Sequence, residues 1–121
     1  MKNIILLLLL VNFSCKGQEK QAMEDLVILS PSSFKEEISD KKVQLIDVRT
    51  PEEYQEGHIK NAVNIDFLAD GFDQKFDNFN KDEPLYIYCR SGNRSAKAAK
   101  ILSELGFEKI YDLEGGYLNY E

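Results

Sequence analysis

Residues 85–95 read LYIYCRSGNRS, and this stretch decides the fold because it contains two transitions, from a predicted strand to a loop and from that loop to a predicted helix. Leu85–Tyr88 consists of aromatic and aliphatic residues, which predicts a β-strand buried in a sheet. Cys89–Asn93 is polar and contains a glycine, which predicts a loop. Arg94–Leu105 carries its apolar residues on one face, as expected of a helix packed against the sheet. The order strand, loop, helix is the repeating unit of an α/β protein.

The same alternation continues on both sides of this stretch. A helix is predicted at Pro31–Ser39, and another begins at Thr50, where Thr50–Glu53 has the pattern of a capping box with a proline inside. The remaining predicted strands are Leu26–Leu29, Val43–Val48, Ala62–Ile65 and Lys109–Leu113. Val43–Val48 is apolar enough to be a central strand. Strands separated by helices predict an α/β fold: three layers, with helices on both faces of a central, mainly parallel sheet.

The apolar residues outside the strands predict how the segments around the sheet pack. Three aromatic residues recur at the spacing of one helical face: Phe72, Phe76 and Phe79. Such a stripe either packs into the core or faces a ligand, and core packing is the more common outcome. Gly106 is expected to end the helix before it in a Schellman motif, with Phe107 against Leu102.

The composition excludes several classes of protein. The chain has 121 residues, enough for one domain, and no internal repeat or low-complexity block. It carries 15 basic and 21 acidic residues, so its net charge is -6. A nucleic-acid partner is not expected, because no basic surplus is present to neutralise phosphates. Two cysteines cannot build a disulfide scaffold.

The first residues differ from the rest of the chain. Residues 4–11 read IILLLLLV, preceded by Lys2 and followed by the small residue Ser14 and then Cys15. The run is shorter than the roughly 20 residues that a membrane-spanning helix needs, and it has the length of a secretory signal core. A polar stretch follows the cysteine.

This N-terminal arrangement resembles a bacterial lipoprotein signal. The resemblance implies that residues 1–14 are a removed signal peptide and that Cys15 is acylated as the first mature residue. It also implies an exported, membrane-anchored lipoprotein that faces the periplasm or the cell exterior, with residues 15–25 as a polar tether and 26–121 as the folded domain. An ordinary secretory signal with an incidental cysteine is the alternative.

Cys89 is the candidate catalytic residue. It follows a buried strand and precedes a helix, and ligands of parallel sheets bind beyond the carboxyl ends of the strands. Gly92 allows loop amides to converge on an anion at a helix N-terminus, and Arg90 and Arg94 add positive charge. A thiolate there is expected to have a lowered pKa and to be nucleophilic. An inert structural cysteine would more naturally lie inside an apolar run.

Here the sequence resembles the single-domain rhodanese-like sulfurtransferases. Residues 89–95 are similar to the active-site loop of that family, and the match continues, in order and spacing, over about 26–119. The other matching pieces are 45–49, 52–54, 57–59, 62–64 and 113–117. The resemblance implies a rhodanese-like fold, Cys89 as the residue that carries a persulfide, and a substrate-binding loop of Arg90, Ser91, Gly92, Asn93, Arg94 and Ser95.

The reaction expected from these residues is a two-step sulfur transfer. Cys89 takes a sulfur from a small anionic donor such as thiosulfate and passes it to a nucleophilic acceptor, cyanide in an assay or a thiol in life. The donor or acceptor can also be a protein. No metal or cofactor is expected, because the lone His58 cannot build a metal site, and His58 is not needed as a base in the first step.

Asp47 and Arg49 end the strand expected next to that of Cys89. They either brace the active-site loop, which the resemblance favours, or form a surface ion pair of little energetic value.

Two other functions compete with sulfur transfer by an enzyme. Cysteine-dependent phosphatases resemble one another in having five residues between the cysteine and an arginine, but here four separate Cys89 from Arg94. A smaller loop suits a sulfur atom better than a phosphate. The second alternative is a sulfur carrier or docking module that serves one partner without turnover. Such a carrier would keep the cysteine and have the same sequence features.

Overall fold

The computed structural model describes residues 25–120 of the chain. Five parallel strands form one sheet in the order β1-β5-β4-β2-β3. Their bounds are β1 Leu26–Leu29, β2 Gln44–Asp47, β3 Val63–Asn64, β4 Leu85–Tyr88 and β5 Ile110–Leu113. The predictions about the signal peptide, Cys15 and the tether up to residue 24 lie outside the described residues. The predicted α/β fold with a parallel sheet is confirmed.

Three α-helices connect the strands: α1 Pro31–Ile38, α2 Pro51–Glu56 and α3 Asn93–Glu104. The predicted capping box of α2 is present, because the Thr50 hydroxyl accepts from the Glu53 amide while the Glu53 carboxylate accepts from the Thr50 amide. The predicted end of α3 is also present. Gly106 donates to the Ser103 carbonyl and Phe107 to the Leu102 carbonyl, which is the Schellman pattern.

The sheet is buried on both faces, with a separate apolar cluster on each. Strand β4 contributes to both, since Leu85 and Ile87 point to the side of α3 while Tyr86 and Tyr88 point to the side of α1. All four side chains are buried. This burial fixes the carboxyl end of β4, and therefore the start of the loop at Cys89.

Strand β2 is an interior strand, as expected, because it pairs with β4 on one side and with the short β3 on the other. One detail differs from the sequence-based predictions. The phenylalanine stripe lies around a short 3₁₀ turn, Asp73–Phe76, and not on an α-helix. Its side chains nevertheless pack in the core: Phe72 and Phe76 are buried and Phe79 is partly buried. Spacing alone predicted the burial but not the helix type.

Within residues 25–120, none of the helices combines the length and the apolar character needed to span a membrane.

Candidate active site

Cys89 lies directly after β4, at the carboxyl edge of the sheet, where the chain leaves the core for a short loop. The loop ends at Gly92, and α3 begins at Asn93. The Cys89 side chain is only 1% exposed, so it is more deeply buried than a cysteine at the mouth of a polar loop was expected to be. It is a free thiol.

Two groups of the following turn contact the sulfur. The Gly92 amide donates to Cys89 Sγ at 3.0 Å, and the Ser95 hydroxyl lies 3.3 Å from the same sulfur. Gly92 has φ +109°, a left-handed conformation that favours glycine, so this residue type allows the loop to turn its amide inward. The amide donates to the sulfur, whereas the thiol donates to the Ser95 hydroxyl, which itself donates to the Gly92 carbonyl at 3.2 Å. A hydroxyl can also turn to donate to an anionic sulfur, as the amide already does.

The loop holds the sulfur with fewer amides than the sequence suggested. Among residues 25–120, Gly92 provides the only backbone N–H that donates to Sγ. The amides of Asn93, Arg94 and Ser95 belong to the first turn of α3, where backbone N–H groups have no partner within the helix. They give the helix N-terminus a partial positive charge beside the sulfur, but they do not donate hydrogen bonds to it.

The segment after β5 clamps the cysteine loop from the other side. The Tyr117 amide donates to the Cys89 carbonyl at 2.8 Å, and the Leu118 amide donates to the Arg90 carbonyl at 3.2 Å. Gly116 makes this approach possible: a Cβ atom there would come within 2.4 Å of the Arg90 carbonyl carbon and oxygen. The sequence showed a turn at 114–116 but gave no sign that it touches the cysteine loop.

The two loop arginines have different surroundings. Arg90 is exposed and free to meet an anionic donor. Arg94 donates two hydrogen bonds to the Glu53 carboxylate, at 2.7 and 3.0 Å. The hydrogen bond from Arg94 is the main cause that lowers the pKa of Glu53 to about 2. The positive charge that Arg94 was expected to add to the loop is therefore already paired with that of Glu53.

Asp47 and Arg49 form a buried ion pair, so the surface alternative is wrong. Arg49 is 4% exposed and Asp47 is fully buried, with N–O distances of 2.7 to 3.1 Å between them. The guanidinium also donates to the Gly57 carbonyl and lies 4.4 Å from the centre of the Tyr117 ring. The pair braces the active-site loop indirectly, because it supports Tyr117 and the Tyr117 amide holds Cys89.

The remaining loop residues divide by exposure. Ser95 is fully buried, whereas Ser91 and Asn93 are exposed at the entrance. His58 lies elsewhere: its ring stacks on Tyr54, and its Nδ1 is 2.9 Å from the Tyr54 carbonyl. That contact caps α2, which gives the histidine a structural role.

A cleft of about 980 Å³ lies on the α1 side of the sheet, away from Cys89. Its walls include Lys35, His58 and Tyr120, and none of residues 89–95.

A parallel sheet with a cysteine loop at its carboxyl edge places the chain among the α/β proteins, and the comparisons with known proteins identify the family. The chain belongs to the rhodanese-like domain family, which it matches over residues 30–121. It resembles the crystal structure of a rhodanese-like domain protein from Staphylococcus aureus, with a TM-score of 0.67 and 35% identity; the match covers 78% of this chain and 90% of that one. The predicted rhodanese-like fold is confirmed.

Two curated relatives carry the same domain in longer proteins. The chain is 36% identical over 78% of its length to the adenylyltransferase and sulfurtransferase UBA4 of Candida albicans, and spans 23% of that protein. It is 34% identical over 76% of its length to the tRNA uridine(34) hydroxylase of Pelagibacter ubique, and spans 31% of it. The chain thus spans less than a third of each relative, and the relatives' activities belong to the whole proteins.

Proposed function

We propose that the protein is a sulfurtransferase of the thiosulfate sulfurtransferase type, which carries a sulfane sulfur as a persulfide on Cys89. The observation that carries the proposal is the Gly92 amide, which donates to the sulfur of a free cysteine at 3.0 Å at the start of a helix, beside the Ser95 hydroxyl at 3.3 Å, which accepts from the thiol. This arrangement favours an anionic sulfur, and the anion is the nucleophilic form. The sulfurtransferase relative supports the same chemistry.

In the first step the Cys89 thiolate attacks the outer sulfur of a donor such as thiosulfate. A new S–S bond forms, the bond between the outer sulfur and sulfite breaks, and sulfite leaves with the electron pair. Arg90, the exposed cation of the loop, draws in the anionic donor. The buried position of Sγ excludes bulky competitors from the nucleophile.

In the second step a nucleophilic acceptor, such as a small thiol or a protein thiol, attacks the outer sulfur and releases the Cys89 thiolate. A persulfide extends the transferable sulfur about 2 Å beyond Sγ. The amides of the first turn of α3 stabilise the negative charge that the persulfide carries.

The decisive experiment is the intact mass of the protein after treatment with thiosulfate. We expect the mass to increase by one sulfur atom, and to return to its first value after cyanide or a thiol is added. The substitution Cys89→Ser should abolish both the mass increase and turnover, whereas Ser32→Ala, at an exposed position of α1, should retain the mass increase.

Other outcomes distinguish the competing functions. A single loading without repeated turnover of thiosulfate and cyanide would favour a sulfur carrier. A protein that gains no sulfur but releases phosphate from a phosphate ester would favour the phosphatase alternative. Retention of full turnover in Cys89→Ser would contradict the mechanism.

A further inference from the structure

The cleft of about 980 Å³ on the α1 side of the sheet takes no part in the sulfur-transfer mechanism above. Its volume is at the upper end of the roughly 300–1,000 Å³ that small-molecule sites occupy. Two connections of the chain supply most of its wall: residues 38–43 between α1 and β2, and residues 58–61 between α2 and β3. Tyr117 and Tyr120, from the segment after β5, also line it.

The wall of this cleft is basic, although the chain as a whole is acidic. The chain has 15 basic and 21 acidic residues, yet its described residues place four lysines and a single acidic residue, Asp40, in the wall. The lysines, all exposed, are Lys35, Lys41, Lys42 and Lys60. Lys41 is 3.9 Å from the Glu37 carboxylate, a loose surface pair, and Lys35 lies 5.4 Å from the centre of the Tyr120 ring. Positive charge gathered around a concave surface attracts anions.

Apolar side chains also line the cleft. Leu45 and Ile59 are buried, and Ile38 and Val43 are partly buried. They belong to the same apolar cluster as Tyr117. A ligand that matches both the charge and the apolar surface of the cleft therefore combines negative groups with an apolar or aromatic body.

The backbone of the two connections is strained at one residue each. Within residues 25–120, the only non-glycine residues with positive φ are Asp40 at +56° and Asn61 at +74°, and both line the cleft. Such left-handed residues persist where the surrounding structure holds them, and they cluster at functional sites. Asp40 directly precedes Lys41 and Lys42. Asn61 directly follows Lys60, so each of the two turns carries lysine into the wall.

We propose that this cleft binds a small organic anion: an apolar or aromatic body with at least two negative charges, carried by carboxylate or phosphate groups. Lysine ammonium groups are compact charges that bind such oxygens, and the apolar side chains and tyrosines contact the body. None of residues 89–95 lines the cleft, so this ligand does not meet the reactive sulfur. The two sites adjoin at Tyr117, which lines the cleft while its amide donates to the Cys89 carbonyl.

The test is an NMR titration of the isotopically labelled full chain with small probes at constant ionic strength. Phthalate is an aromatic dicarboxylate and phenyl phosphate is an aromatic phosphate. Inorganic phosphate has the charge without the body, and benzyl alcohol has the body without the charge. We expect at least one of the two aromatic anions to shift the amide signals of residues 38–43 and 58–61 at a lower concentration than either simpler probe. The tighter of the two shows whether the site prefers carboxylate or phosphate.

Charge variants locate the binding. Lys42→Glu together with Lys60→Glu should weaken it about tenfold, because attractions become repulsions. Asp40→Asn should strengthen binding, since it removes the acidic group of the wall while asparagine also accepts a left-handed conformation. The matched control is Lys97→Glu with Lys100→Glu, which changes the net charge equally at exposed positions of α3, on the other face of the sheet. This control should leave the affinity almost unchanged, and thermal unfolding checks that each variant is folded.

The proposal is wrong if no probe shifts these signals, or if benzyl alcohol or inorganic phosphate binds as tightly as the aromatic anions. Equal weakening by the two double variants would show a general effect of net charge and no site, and weaker binding in Asp40→Asn would contradict the part given to the wall charges. The titration contains no sulfur donor. A protein that binds the anion in this cleft but gains no sulfur from thiosulfate would keep the anion site and lose the proposed function.

Discussion

At the scale of single residues, the active site depends on one position that carries no functional group. Gly116 has φ +68° and lies against the backbone of the cysteine loop. The turn therefore requires glycine twice over: for its positive φ, and for the absence of a Cβ atom. Its neighbour Tyr117 then places an amide on the Cys89 carbonyl. The shape of the loop at Cys89 is thus set in part by a residue 27 positions later in the sequence.

We predict that Gly116→Ala lowers sulfur transfer strongly and destabilises the protein by more than the ~1 kcal/mol that a left-handed alanine alone costs. The added Cβ would come within 2.4 Å of the Arg90 carbonyl group, so the loop or the turn must move. Thermal unfolding and the rate of sulfur loading measure the two effects.

The matched control for this prediction is Gly71→Ala. Gly71 has a similar φ of +75°, and its nearest contact would be the flexible Gln74 side chain at 3.7 Å. It should show the conformational cost without loss of loading. If the two substitutions lowered stability and sulfur loading equally, the close contact of Gly116 with Arg90 would not be the cause of the loss.

The sequence predicted which residues lie in the candidate site more completely than it predicted their interactions. Cys89 and Ser95 were predicted in the site because they lie in one short loop, where sequence neighbours are also spatial neighbours. The contributions of Gly116 and Tyr117 come from the turn after β5, so they depend on strand pairing. A single sequence does not contain that register, and the partner of Arg94 was hidden for the same reason.

At the scale of helices and strands, α2 and α3 are linked by one carboxylate. Glu53 completes the capping box of α2 and also accepts both hydrogen bonds from Arg94, in the first turn of α3. The sequence predicted the cap because its partners are three residues apart. It could not predict the ion pair, whose members are 41 positions apart. The carboxylate fixes the start of the helix that carries Ser95.

We predict a pH-dependent contribution of Glu53 to stability. The folded protein holds its pKa at about 2, below the ordinary value of 4.5. The contribution is therefore complete above pH 4.5 and is lost as the pH falls towards 2. The stability difference between wild type and Glu53→Gln should be constant near neutral pH and shrink through that acidic window, as measured by denaturant unfolding.

Glu52→Gln serves as the control, because Glu52 is the exposed neighbour in the same helical turn. Its substitution should change stability little at any pH. A difference between wild type and Glu53→Gln that stays constant down to pH 2 would show that the pair with Arg94 does not act through the charge of Glu53.

At the scale of the whole molecule, the alternation of strands and helices determined the fold correctly from the sequence. All strand pairs are parallel, and the two faces of the sheet are covered, as predicted. The interior position of β2 was also predicted, from its apolar sequence. The full strand order was not, since the sequence pattern does not specify the pairing of β3, the two-residue strand at the edge beside β2.

We predict that Cys15→Ser moves the protein from the membrane fraction to the soluble fraction of its own or a similar bacterial cell. An acylated cysteine contributes about 0.8 kcal/mol for each buried CH₂ group, which the serine variant cannot gain. Sulfur loading at Cys89 should be the same in both forms. A wild-type protein found wholly in the soluble fraction would contradict the lipid anchor. Lys16→Ser is the control, because it changes the residue beside the cysteine and should leave the protein in the membrane fraction.

The parallel arrangement of β1 and β4 has a consequence for how such an anchored domain would be oriented. The chain enters the sheet at Leu26, the amino end of β1, whereas Cys89 follows the carboxyl end of β4. These two points lie on opposite rims of the domain, separated by a strand length of about 13 Å. A lipid-anchored tether would thus attach to the domain at the rim that holds the amino ends of the strands. Cys89, on the opposite rim, would then face the aqueous compartment, where diffusing acceptors can reach it.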